Sequence, residues 1–405
     1  MGSLWQMRKN LITTFGDTVA AVAHSDSLFR FAMMGRPYSV PDLLIEVLTA
    51  DDNDGNILNG TPYFQEIIDG FSQHNVPSPL PEFGIIHAPI QNMETVVEPI
   101  TIETIILSIN QTISIAELVY SFGAGTITTA LTPGTGSNEY FGIIPPQSPG
   151  TVITYYIHAV DGDGNEYFSP STAPDIQHFF LIGNTVSFPA LFTDDSEADQ
   201  GWTLGVPSDG ASTGIWVRED PNGTTNNGQP LQPEDDHTID GITAFVTGNA
   251  PFDGTNAGDD DVDNGATTLL TPVMNLTGTV NPIFGYWRWY SNNLGNAPNA
   301  DDWVVQVTAD GQNWVELEHT SQSETAWLYK QFLLNQYIDL TDQVQVRFIA
   351  EDSGEGSLVE AAVDDVFVLN GISVDIVIGD VDFDGEISIN DVLQIIDYIL
   401  GVVQP

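Results

Sequence analysis

Asp380, Asp382, Asp384 and Asp391 stand at positions 1, 3, 5 and 12 of one short segment near the C-terminus, with Gly385 at position 6 and Ile387 at position 8. Hard oxygen ligands spaced in this way converge on a calcium ion from a single tight turn. The glycine supplies a backbone conformation that side chains resist. Glu386 would add its backbone carbonyl, and Ser388 would ligate directly or through a water. Val392, Leu393, Ile396, Ile399 and Leu400 then recur at helical spacing as far as Gly401, which predicts a helix leaving the loop. The stretch before the loop reads as a short β-like linker, with no entering helix. Calcium binding is therefore expected over 376–402.

Asp52, Asp54 and Asn56 repeat the 1, 3, 5 spacing. They either ligate calcium or form an Asx-rich turn that caps the helix expected after Thr61 and Pro62. Asp161 and Asp163 read as a hairpin turn. Trp287 and Trp289 are candidates for ligand binding, because flat rings cover the apolar faces of pyranose sugars. Strand alternation sends these two to one face and Arg288 and Tyr290 to the other, so the four cannot form one site. The competing reading is that all are core aromatics of a large sandwich.

Metal-assisted peptide hydrolysis needs two histidines one helical turn apart, with a glutamate beside the first. The histidines are His24, His74, His87, His158, His178, His237 and His319, and no two have that spacing. Zinc is not expected in this chain, and the chain alone is not expected to hydrolyse peptides.

Lys and Arg number 8 against 56 Asp and Glu, a net charge of −48. Such a surface repels nucleic-acid phosphates and anionic lipid, which sets both aside as partners. The acidity fits calcium ligation, solubility in a salty medium that screens self-repulsion, or both. The absence of cysteine excludes disulfides and thiolate metal sites. Calcium loops of this type favour the calcium-rich exterior, so an extracellular or cell-surface location is expected. Met1 to Lys9 lack the apolar core of a signal peptide, and the chain is expected to be missing its beginning.

Four regions follow from the pattern, in a mainly β multidomain chain. Residues 1–78 carry helical periodicity in Leu4, Met7, Leu11 and Phe15, in Leu43, Leu44, Val47 and Leu48, and in Phe64, Ile67, Ile68 and Phe71. Residues 82–183 are short strands separated by Gly, Pro and Asn turns. Residues 184–372 form a larger β module holding seven of the eight tryptophans, with a hairpin signal at Asp310-Gly311. The fourth region is the loop and helix of 376–402.

Several of these motifs resemble known families. The loop-helix unit resembles a single dockerin repeat. That likeness implies EF-hand-like calcium binding, but Ile389 and Asn390 replace the family's small hydroxyl pair, so a cohesin-like partner does not carry over. Leu4-Trp5-Gln6-Met7-Arg8 and the Asp-Asn-Gly segment before Thr61-Pro62 resemble the C-terminal helical lobe of fungalysin- and thermolysin-type zinc metallopeptidases. Tyr155-Tyr156-Ile157 and the turn after Asp161 resemble the penultimate strand of an immunoglobulin or fibronectin type III sandwich. Gly201-Trp202, Gly214-Ile215-Trp216, Trp287-Arg288-Trp289-Tyr290 and Val359 to Asp365 resemble the jelly roll of secreted peptidases, shared with MAM-like and carbohydrate-binding sandwiches. The jelly-roll likeness implies a structural calcium between a loop and the final strand, for which Asp261, Asp263, Glu360 and Asp364 are the matching residues. Taken together, the resemblances imply the non-catalytic C-terminal portion of a secreted metallopeptidase-like protein. The alternative is a carbohydrate-binding or surface-adhesion protein that meets a polysaccharide or a cell-surface polymer.

Overall fold

In the computed structural model the described residues are 2–371, apart from 53–56, 58–60, 80–82, 109–111, 124, 136–137, 185–186, 253–254, 257, 259 and 355. The calcium loop and helix expected at 376–402, with Asp380, Asp382, Asp384, Glu386, Ser388 and Asp391, lie outside them. The described residues form two compact units, one within 2–148 and 153–181, the other within 149–152 and 182–371. It is mainly β, with a small helical region at its N-terminus.

The helices are α1 (Gly2–Phe15), α2 (Thr18–Ala32), α3 (Val40–Asp51) and α4 (Phe64–Ser72). Met7, Leu11, Leu44, Val47, Leu48, Ile67 and Phe71 form their core, along the three faces that the periodicity marks. Asp17 caps α2 by accepting from the amides of Val19 and Ala20, and Ser39 caps α3 just ahead of Pro41. Helix α2 has no counterpart in the periodicity. Its alanines and serines leave the apolar stripe faint, and it is packing of Ala21, Leu28 and Ala32 into the core that fixes it.

The first sandwich is built from β1 (Phe83–Ile86), β2 (Ile100–Ser108), β3 (Ile113–Ser121), β4 (Ile127–Ala130), β5 (Thr132–Pro133), β6 (Glu139–Ile144), β7 (Thr151–Asp161), β8 (Glu166–Ser169) and β9 (His178–Ile182). One sheet runs β1-β2-β6-β5 and the other β4-β3-β7-β8, with β9 also on β7. Strand β7 alternates as its sequence suggests, burying Ile153, Tyr155, Ile157 and Ala159. The Asp161 carboxylate accepts from the amides of Asp163 and Asn165 and from the Asn165 side chain, so this aspartate is a turn residue.

The second unit contains β10 (Ala190–Asp194), β11 (Thr203–Leu204), β12 (Trp216–Glu219), β13 (Thr224–Asn226), β14 (Gln229–Pro230), β15 (Ala244–Thr247), β16 (Thr255–Asn256), β17 (Gly265–Leu270), β18 (Asn281–Ser291), β19 (Trp303–Thr308), β20 (Trp314–Thr320), β21 (Glu324–Leu333), β22 (Gln345–Asp352) and β23 (Glu360–Gly371). One sheet runs β12-β15-β23-β18-β21 with β10 also on β23, and the other β11-β17-β22-β19-β20. Between them lies a dense aromatic core of Trp216, Phe284, Tyr286, Tyr290, Trp303 and Phe348. Strand β23 pairs β15 through Ala362 and Val363, and β10 through 366–369, so the irregularity near Asp364 divides its two partners. Asp365 has a φ of 48° there, the backbone signature of a bulge.

Candidate ligand-binding site

Strand β18 sorts its side chains as alternation requires. Phe284, Tyr286, Arg288 and Tyr290 are buried against the core, while Gly285, Trp287 and Trp289 face the other side of the sheet. Arg288 is 2% exposed and pairs through Nε with Glu318 Oε1 at 3.0 Å. Lys330 reaches the same oxygen at 3.0 Å, and Tyr286 and Trp303 donate to Oε2. Burial alone would raise the Glu318 carboxyl, but Arg288 and Lys330 hold it below its ordinary value. Arg288 is thus a core residue.

The outward face carries a row of aromatic side chains. Trp287 packs against Tyr329 of the neighbouring β21 with ring centres 5.4 Å apart, and Tyr329 stacks on Phe367 of β23 at 6.3 Å. The Phe367 ring lies over Gly285, where a Cβ would come within 2.3 Å of it. Trp289 meets Trp327 at 6.3 Å. Beside this row, Trp287 and Phe367 line a cleft of about 490 Å³ that also takes in Thr193, Asp194, Asp195, Gln200 and Asp365. The cleft has an apolar wall and a rim of acceptors and amides, the composition of a small-ligand site.

The two tryptophans expected as a sugar platform differ in access. Trp289 donates through Nε1 to the Leu231 carbonyl at 2.5 Å and packs with Ala244, Val246 and Ala362, so the 229–233 loop covers it. Trp287 is stacked by His237 at 3.8 Å, with the rings 17° from parallel. His237 is held there by β23: its amide donates to Asp364 Oδ2 at 2.9 Å, and its Nδ1 lies 2.6 Å from Asp365 Oδ2. Trp287 still contributes to the cleft wall. An open platform of both rings is therefore replaced by a cleft with one of them in its wall.

The expected four-carboxylate calcium set is divided by the strand geometry. Glu360 and Asp364 lie four residues apart on β23, a separation of about 13 Å along an extended strand. One ion with ligand distances of roughly 2.5 Å cannot span it. Glu360 is buried beside Asp261 and accepts from Thr247 Oγ1 at 3.2 Å. Burial first, and Asp261 second, push its carboxyl well above the ordinary range. Asp364 instead anchors the 237–238 loop, and Asp263 accepts from Thr213 Oγ1. Among the described residues no three His, Asp or Glu side chains group closely enough to hold a metal. Asp236 and Asp364 are each pushed up to about 6, by burial first and then by neighbouring carboxylates, with two backbone amides opposing the rise at Asp364.

Of the helical-lobe set, Asp52 is described, while Asp54 and Asn56 lie outside the described residues. The neighbouring Asp51 ties the segment to α4 by accepting from Thr61 Oγ1 at 2.6 Å and the Tyr63 amide at 2.7 Å. Sequence reasoning passed over Asp51, and also Trp327, Tyr329 and Phe367. The alternation of Thr325, Trp327, Tyr329 and Gln331 was the signal for an aromatic strand edge-on to β18.

No protein-family model and no curated protein matches the chain. Solved structures that resemble it include carbohydrate-binding modules of the β-sandwich superfamily. A family 61 carbohydrate-binding module in complex with β-1,4-galactotriose is 12% identical, with 45% of this chain and 94% of that one covered at a TM-score of 0.28. The C-terminal family 22 module of Clostridium thermocellum xylanase 10B is 9% identical over 46% of this chain and 97% of that one, at 0.26. The K3 adhesin domain of Lys-gingipain from Porphyromonas gingivalis is 12% identical over 42% and 100%, at 0.23. Likenesses this distant carry no argument about ligand or activity in this chain.

Proposed function

We propose that the second unit is a glycan-binding module, and that its ligand enters the cleft between Trp287, Phe367 and the 193–200 segment. The observation that carries this reading is the pairing of two aromatic side chains with Asp195, Gln200 and Asp365 around one cleft. A pyranose ring offers an apolar face to the aromatics and hydroxyl donors and acceptors to the rim. With a net charge of −48, neutral glycans are favoured over polyuronates and sulfated polymers, which the surface repels. In this reading the chain works outside the cell or at its surface. The metallopeptidase-like lobe and the first sandwich serve as attachment and spacing, and calcium is held by the Asp380–Asp391 loop.

Affinity electrophoresis of the full chain in gels containing xylan, galactan, hydroxyethylcellulose or alginate tests this. At least one neutral polymer is expected to retard the chain, with retardation lost in Phe367→Ala and alginate without effect. Equal mobility of parent and variant in every gel would contradict the assignment.

A further inference from the structure

At the far end of strand β18 a second group of polar side chains stands apart from the aromatic cleft. Trp303 of β19 pairs with Ala350 of β22. Continuing that antiparallel register by two residues sets Asp301 opposite Asp352. Both are buried, at 3% and 2% exposure. Like charges directly opposite across a strand pair are destabilising, and burial deepens the cost. Neither carboxylate has a cationic partner among the described residues.

Their hydrogen bonds are only half complete. Asp301 Oδ1 accepts from the Ser353 amide at 2.8 Å, which draws its carboxylate alongside Asp352, while Oδ2 has no partner. Asp352 takes the Ser357 amide and its Oδ2 is also left without one. Asn292 is fully buried and donates through Nδ2 to the Asp301 carbonyl at 2.5 Å, and its amide oxygen is likewise unpartnered. Three buried oxygens at one end of the sandwich, on residues joined by the β19–β22 register and by the Asn292–Asp301 hydrogen bond, are therefore without a donor among the described residues. Buried polar groups in folded proteins are almost always satisfied, so such a cluster calls for an occupant. The occupant must be an acceptor of lone pairs from two carboxylates and an amide oxygen.

We propose that Asn292, Asp301 and Asp352 bind a calcium-class divalent cation, with water completing its coordination. Flexible, all-oxygen coordination that mixes carboxylate and amide ligands is characteristic of calcium. The ion would join the end of β18 to β19 and β22, linking the two sheets of the second unit at one edge. This inference is independent of the glycan reading, since none of its residues lines the cleft.

The test is equilibrium dialysis of the chelated full chain against calcium, with melting temperatures recorded in EDTA and in calcium. Asp352→Asn is expected to bind about one calcium fewer per chain than the parent. Comparing the two chains cancels whatever the C-terminal loop takes up. The variant should melt at or above the parent in EDTA, where it relieves a buried repulsion, and below it in calcium. Asn292→Asp should show the reverse pattern, with calcium held about tenfold more tightly and a lower melting point in EDTA. Unchanged stoichiometry, with the Asp352→Asn melting shift identical in EDTA and calcium, would overturn the proposal and leave an ordered water or a shared proton as the occupant.

Discussion

The two β units solve the problem of buried polar groups in opposite ways. In the first sandwich, His87, Tyr155 and His178 form a closed set of neutral partners. His87 uses one ring nitrogen on the Glu103 carbonyl at 2.7 Å and the other on Tyr155 Oη at 2.8 Å, and that hydroxyl also accepts from the Ile90 amide. His178 meets Ser169 Oγ at 3.2 Å. Burial, with His87 next, lowers His178 to about 4, so it stays uncharged in the fold. The first sandwich also buries Asp161, satisfied within its own turn, whereas the second unit buries several carboxylates, among them Asp194, Asp236, Asp352, Glu360 and Asp364, all raised by burial first. Glu318 is the buried acid that the described residues give strong cationic partners, Arg288 and Lys330. The first arrangement is complete within the protein. The second leaves oxygens unused at its edges, where a ligand can supply what the chain does not.

The comparison breaks most sharply at Glu318. Glu318→Gln leaves Arg288 buried without its counter-charge, and the cost should be about 3–5 kcal/mol. Chemical denaturation followed by tryptophan fluorescence reads it, because seven of the eight tryptophans belong to the second unit. Hydrogen exchange should show the loss of protection confined to that unit. Tyr155→Phe is the counterpart in the first sandwich. It removes the hydroxyl shared by His87 and Ile90, at a cost of about 1–3 kcal/mol. Exchange should rise in 83–182 peptides and stay unchanged in those of β18 and β23.

Acidification should separate the units by sign. His178 has a folded value of about 4 against an ordinary 6.5, so its contribution is present above 6.5 and is lost as pH falls towards 4. Asp364 has a folded value of about 6 against an ordinary 3.8. Its contribution is present below 3.8 and is lost as pH rises through 6. In EDTA, lowering pH from 7 to 4 should therefore weaken protection in the first sandwich and strengthen it around β23. Parallel changes in both units would refute the division drawn here.

Much of this frame was legible because strand alternation has a period of two. It sorted Trp287 and Trp289 from Arg288 and Tyr290, and it marked β7. Two features were not legible, for a common reason. The 229–238 loop covers Trp289 and seats His237 on Trp287 through contacts with Asp364 and Asp365, a sequence separation no local pattern encodes. The bulge at Asp365 depends on β23 changing partners between β15 and β10, which is a property of the assembled sheet. The same limit applies to the carboxylates. The jelly-roll resemblance grouped Glu360 with Asp364, whereas the pairing of β19 with β22 set Asp301 opposite Asp352.

Glycan binding in the cleft is the central claim, and isothermal titration with soluble oligosaccharides tests it most directly. The parent chain and Trp287→Phe should both bind a neutral oligosaccharide, the variant more weakly. Phe367→Ala should lose at least about tenfold in affinity, with an unchanged exchange profile in β18. Binding unaltered by Phe367→Ala, or heat evolved only with anionic sugars, would contradict the account.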